Sequence, residues 1–202
     1  MAFNDEELND LNYILALRFD KRKYCQYYIS LLRTKHIIMF TFFNNSDYNS
    51  KIIKIDLFLL NFSLSYMVNT LFFDDSTMRQ IYEDKGSFNL LYQLPQIAYS
   101  TIISSIFSYF LEILALSEGI ILDFKKRRNV YNLDNVIKIL ERRIKIKFLF
   151  YFLISTIFLL FFWFYISMFC AIYINTQFHL IKDSLISFGL SLVYPFFIYL
   201  IP

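Results

Sequence analysis

Two stripes of polar side chains carry most of the chemistry this sequence offers. Asn61, Ser65 and Asn69 recur at every fourth position, and Ser100, Ser104, Ser108 and Glu112 repeat that spacing with Thr101 and Ser105 beside them. On a helix, four-residue spacing places each set on one face. Both sets lie inside strongly apolar blocks, where polar groups must face protein or water. One reading is helix packing: small residues let backbones approach, and Ser and Asn hydrogen-bond across the gap. The other is a water-lined path for an ion or small solute. Small-residue interfaces are common in membranes, so packing is the leading expectation.

Glu112 is the acid of the second stripe, about two turns inside the end of its apolar block. Lys54 and Asp56 enter the first block from the same side, so the geometry allows a Lys54–Glu112 ion pair. Snorkelling of Glu112 to a nearby interface is the leading expectation. A proton relay is the functional alternative.

Other reactive groups stand alone. His36 and His179 have no second ligand at useful spacing, so no metal site is expected. Cys25 and Cys170 cannot build a disulfide framework. No glycine-rich phosphate loop, zinc-protease helix or nucleophile elbow is present. The sequence therefore reads as non-enzymatic and without a cofactor.

Basic residues cluster in two places. Arg18, Lys21, Arg22 and Lys23 form one group, and Lys125, Lys126, Arg127, Arg128, Arg142 and Arg143 form most of the other. Near an anionic inner leaflet each is worth about 1 kcal/mol, so anionic lipids are the expected contact. The same cations also set topology. Nucleic acid is a poor partner, since the net charge is only +3 and the basic residues flank apolar blocks.

The elements that must hold these residues follow from composition. The chain is 57% hydrophobic, 21% aromatic and only 18% charged, with a mean hydropathy of +0.44. A soluble domain carries about a quarter charged residues. The apolar excess gathers in runs long enough to cross a bilayer. Codon bias in an A/T-rich genome inflates Phe and Ile, but bias does not arrange residues into blocks.

Four spans are expected, at about 52–73, 96–121, 148–174 and 185–202. The third carries no charge and is the clearest. Pro95 fits a first-turn position at the start of the second. Residues 1–51 form an N-terminal segment and 52–202 a four-helix membrane domain. Residues 4–35 read as amphipathic helix with Asn4 or Asp5 as cap. Leu133, Val136, Ile137, Leu140 and Ile144 mark an amphipathic helix in the basic loop 122–147. The fold class is thus all-α: a bundle of about four transmembrane helices with an N-terminal interfacial helix and a basic loop helix.

A fifth span at 24–43 is the main topological alternative. Arg33, Lys35 and His36 sit near its middle. A central Arg or Lys costs about 2.5–3.5 kcal/mol, whereas the run 37–43 returns only about 2 kcal/mol. The costs win, so this stretch is expected at the interface, dipping inward near Phe40. Four spans put both basic regions on one side, which the positive-inside rule makes cytosolic, together with the N-terminus and the end of the chain. The acidic start is unlike a secretory signal, so the first span would act as the targeting signal. The close at Ile201-Pro202 without a polar tail suggests a fragment or an unusual terminus.

Several blocks carry a resemblance: Tyr27-Tyr28-Ile29-Ser30-Leu31-Leu32, Asp47-Tyr48-Asn49-Ser50-Lys51-Ile52-Ile53, Ile81-Tyr82-Glu83-Asp84-Lys85-Gly86-Ser87-Phe88-Asn89, and Leu180-Ile181-Lys182-Asp183-Ser184-Leu185-Ile186-Ser187-Phe188-Gly189-Leu190. Together they resemble a multi-pass region in membrane proteins of A/T-rich microbial eukaryotes, from about Leu8 onward. The resemblance implies the carboxy-terminal membrane part of a larger chain, and it implies no activity and no site residue. Residues and resemblance together point to an anchoring or scaffolding module in a larger protein or assembly. A channel or transporter subunit using the two stripes is the alternative.

Overall fold

The computed structural model describes residues 4–73, 75–83, 90–126 and 133–200. All regular structure among them is helical. The chain divides into two compact units, one of residues 1–58, 116–144 and 192–202, the other of 59–115 and 145–191. Four helices are long and apolar enough to cross a membrane, at Lys51–Leu71, Leu94–Ala115, Asn135–Ile172 and Ile174–Ile198.

The N-terminal segment is three helices rather than one: α1 (Asp5–Asn9), α2 (Tyr13–Phe19) and α3 (Tyr24–Lys35). Asn4 caps α1 reciprocally, its Oδ1 accepting from the Glu7 N–H at 2.7 Å while Glu7 Oε2 accepts from the Asn4 N–H at 2.9 Å. Asn12 caps α2 by accepting from the Leu15 N–H. Asp20 ends α2 with ψ 105°, and its carboxylate takes the Arg22 N–H at 3.0 Å. Such local side-chain bonds compete with the helical ladder, which is why the apolar period running through 4–35 does not yield a continuous helix.

Residues 24–43 are not a span candidate either. α3 stops at His36, where ψ is 121°, and a π turn follows at Met39–Phe43. The twelve residues of α3 rise only about 18 Å. In the same unit α3 runs beside the end of α9 (Gln177–Ile198). The Tyr28 hydroxyl donates to the Phe196 carbonyl at 3.0 Å, and Tyr24 donates to that of Leu200. His36 Nε2 lies 2.8 Å from the Leu192 carbonyl, with its ring 4.4 Å from that of Phe196. Phe42 meets Phe58 of α4 (Lys51–Leu71) edge-on.

The second span begins earlier than expected. α6 runs from Leu90 to Ala115, so Pro95 lies inside the helix rather than in its first turn. A short helix, α5 (Asp75–Glu83), precedes it. α6 does not continue to 121: a new helix, α7 (Glu118–Lys126), starts after Ser117. Asn49 enforces that break, its Oδ1 accepting from the N–H groups of both Ser117 and Glu118 at 2.9 and 3.2 Å. A side chain distant in sequence thereby satisfies two of the donors a helix start leaves open.

α8 (Leu133–Ile172) fuses the basic loop helix and the third span into 40 residues. No Gly or Pro interrupts it. At 1.5 Å per residue it extends about 60 Å, twice a bilayer's hydrocarbon core. The link expected at 175–184 is a 3-10 turn at Ile174–Thr176 and then α9 itself.

The second unit packs around Leu64, Met67 and Val68, flanked by Phe72, Phe162 and Tyr165, and around Phe73, Met78, Phe169 and Leu180. Much of α8 faces outward: Leu149, Leu160, Trp163 and Phe164 are all more than 60% exposed. Water would penalise that surface, and acyl chains would not.

Candidate functional site

The two stripes meet within the second unit. Ser108 donates to Asn61 Oδ1 at 2.7 Å, joining α6 to α4. Ser65, Ser100, Ser104 and Ser108 are all buried. Ser100 and Ser104 donate to carbonyls of their own helix, at Ile97 and Thr101, while exposed Ser105 also donates to Thr101. The stripe's polar atoms therefore find protein partners, as close helix approach requires. Glu112 is half-buried on α6.

Asn69, 1% exposed, ends the first stripe in a polar knot. Its Nδ2 donates to Asp183 Oδ2 at 3.0 Å and to Ser184 Oγ at 3.2 Å. Its Oδ1 accepts from Gln96 Nε2 at 3.3 Å, so α4, α6 and α9 converge on one amide. Asp183 is 3% exposed and its Oδ1 has no partner. The sequence reading missed Asp183 because it took Lys182-Asp183 for a polar link. The available signal was Leu180, Ser184 and Ser187 sharing helical spacing with it, and all four are buried.

A second polar cluster lies in the other unit. The Lys54 ammonium pairs with Asp47 at 2.9 Å, donates to the Asn44 carbonyl, and sits 5.1 Å from the Phe40 ring centre. Both ion-pair side chains are at most 3% exposed. The candidate cation for Glu112 thus has its ion-pair partner in its own unit.

Next to this pair, Glu118 accepts from Asn4 Nδ2 at 3.2 Å and from Asn49 Nδ2 at 3.0 Å. It also faces Glu6, whose buried Oε2 has no donor. Burial first, then the Glu6 hydrogen bond and charge, then Asp47, raise the Glu118 pKa to about 8, against a lowering by Asn4. A protonated Glu118 supplies the donor that Glu6 Oε2 lacks. Lys125 closes the cluster from α7, donating to both Glu7 oxygens at 2.9 and 3.1 Å.

The candidate lipid-binding cations divide accordingly. Arg22 is part-buried, pairing with Asp20 at 2.7 Å and donating to Ser30. Asp20 in turn has its pKa lowered, chiefly by that side-chain bond. Lys125 is engaged by Glu7 and Tyr48. Arg18, Lys21, Lys23, Arg142 and Arg143 are exposed. Arg127, Arg128 and the side chain of Lys126 lie outside the described residues. Among the described residues no group of three His, Cys, Asp or Glu side chains is placed to hold a metal.

These features define an all-helical chain with the makeup of a multi-pass membrane protein. No family model, curated protein or solved structure matches it.

Proposed function

We propose that this chain is a non-enzymatic anchor or scaffold module of a larger protein or assembly, with its N-terminal segment lying in the anionic headgroup layer of the cytosolic leaflet. The observation that carries the reading is α2 and its attachment. Tyr13, Ile14 and Leu17 are at least 70% exposed on that short helix. Arg18, Lys21 and Lys23 surround them with exposed positive charge. α3, four residues on, rests against the last turns of α9, a span candidate, so α2 starts from the level where that span ends. Apolar side chains ringed by cations at that level suit an interfacial helix.

The test uses the full chain in nanodiscs with a nitroxide at Leu17→Cys, the native cysteines replaced. Contact with oxygen rather than aqueous nickel is expected, and deeper burial when phosphatidylserine is added. A water-exposed label that ignores lipid charge overturns the reading.

A channel or transporter subunit is the second reading, supported by the buried polar side chains Ser65, Asn69, Ser100, Ser104, Ser108 and Asp183. Solute or ion flux in liposomes, lost on Glu112→Leu, would favour it over the anchor.

A further inference from the structure

The corner between α2 and α3 holds a pocket of about 360 Å³. That is toward the lower end of the roughly 300–1,000 Å³ found for small-molecule sites. Three tyrosines line it, Tyr13, Tyr24 and Tyr27, together with Leu17 and the Asp20–Arg22 pair. Tyr13, Leu17 and Tyr24 are exposed, whereas Asp20, Arg22 and Tyr27 are half-buried, so the charged pair lies deeper than the rim.

That pair has hydrogen-bonding capacity to spare. A guanidinium carries five N–H groups. Nε and Nη2 of Arg22 donate to Asp20, and Nη1 donates to Ser30. Two N–H groups remain, and Asp20 Oδ2, which takes one bond from Nη2, keeps a lone pair. Charged guests are disfavoured at this depth. A cation would meet the Arg22 guanidinium, already 5.4 Å from the Tyr27 ring centre, and an anion would meet the Asp20 carboxylate. Neutral hydroxyls meet neither penalty, since each donates to Asp20 or accepts from Arg22 without parting the pair. Tyrosine rings beside such a pair suit the C–H face of a ring polyol.

The position of the pocket supplies the source of that polyol. Tyr24 donates to the Leu200 carbonyl just past α9, so the pocket lies where that span candidate ends. Arg18, Lys21 and Lys23 flank it in sequence and are exposed, which suits a phosphodiester at the rim.

We propose that this pocket binds the inositol headgroup of phosphatidylinositol, with ring hydroxyls shared between Asp20 and Arg22, the ring against the tyrosines, and the phosphodiester met by Lys21 and Lys23. The proposal rests on the interfacial reading of the N-terminal segment and names the headgroup it takes.

The experiment is native mass spectrometry of the full chain in detergent with an equimolar mixture of short-chain phosphatidylinositol, phosphatidylserine, phosphatidylglycerol and phosphatidylcholine. Phosphatidylinositol is retained several-fold over each of the others. Tyr13→Ala lowers that preference several-fold, and at 78% exposure the side chain is dispensable for folding. Equal retention of phosphatidylserine or phosphatidylglycerol overturns the proposal, as does an undiminished preference in Tyr13→Ala. Glycerophosphoinositol, the same headgroup without acyl chains, competes poorly, and competition equal to the lipid's overturns the membrane source. A bilayer-contacting label at Leu17→Cys without any phosphatidylinositol preference sinks the pocket alone, whereas a water-exposed label sinks the interfacial reading and the pocket with it.

Discussion

Two buried acids in the N-terminal unit behave oppositely because their neighbours differ. Asp47 is offered a cation, Lys54, and stays paired. Removing only the cation leaves a buried charge, which costs about 3–5 kcal/mol, whereas replacing both partners with apolar groups is often neutral. Lys54→Met is therefore expected to destabilise by about that amount, and Lys54→Met with Asp47→Leu to recover most of it in thermal unfolding. A double variant no better than the single one would mean that Asp47 was never the problem. Glu118 is buried without a cation and meets another carboxyl, so it keeps its proton up to about pH 8 in the folded chain and releases it near 4.5 when unfolded. Its contribution is complete below the unfolded value and is lost as pH rises through the folded one. Melting temperature should thus decline from about pH 5 to about pH 9, and Glu118→Gln should flatten the decline. A variant curve that falls in parallel with the wild type would place the titration elsewhere.

At the scale of elements, one hydrogen bond ties the two polar stripes, from Ser108 on α6 to Asn61 on α4. Coupling between Asn61 and Ser108, measured by a double-mutant cycle to Ala, should come to about 0.6 kcal/mol, with about 1.7 as a ceiling for such membrane pairs. A value of zero would mean the 2.7 Å bond adds nothing beyond packing. That each stripe lies along one face of its helix was legible because a four-residue repeat has one structural meaning on a helix. Span existence was legible for the same kind of reason: block hydropathy is a sum over twenty residues, and single substitutions barely change it. Boundaries were not. The break after Ala115 depends on Asn49, a residue far away in sequence that no local pattern connects to Ser117. α9 begins at Gln177, eight residues before the expected span, and places Asp183 against Asn69, a contact no local pattern announces. The breaks between α1 and α2 and after α2 depend on whether a short polar side chain, Asn12 or Asp20, takes a nearby N–H, a choice that periodicity does not register.

For the whole molecule, the distribution of Lys and Arg among the short loops bears on which side of the membrane each end occupies. Short-loop Lys and Arg bias orientation, and Asp and Glu contribute little. The candidate spans leave residues 4–50 and 116–134 on one side and 72–93 on the other. The first two stretches hold residues 18–23 and 125–128, and Arg142 and Arg143 fall in the charged beginning of the 38-residue candidate that follows, which is longer than one crossing needs, whereas Arg79 and Lys85 are the whole cationic content of the third. Arg79 is in any case paired with Glu83 across one helical turn, but at 81% and 55% exposure that pair is weak. Single cysteines placed at Lys21 and Arg142 should therefore react with an impermeant maleimide added to the cytosolic face of sealed vesicles, and one at Gln80 only from the opposite face. Opposite labelling of the Lys21 and Arg142 sites would demand an odd number of spans between them, and residues 24–43 would be the segment to supply it. The structure argues against that outcome on energetic grounds: α3 ends at His36, and a further crossing would carry Arg33 and Lys35 through hydrocarbon at about 2.5–3.5 kcal/mol each. Adding two lysines beside Arg79 probes the same balance from the other side. It should produce a mixed-orientation population, detectable as Gln80-site labelling from both faces, because the cation difference that selects one topology would then be reduced.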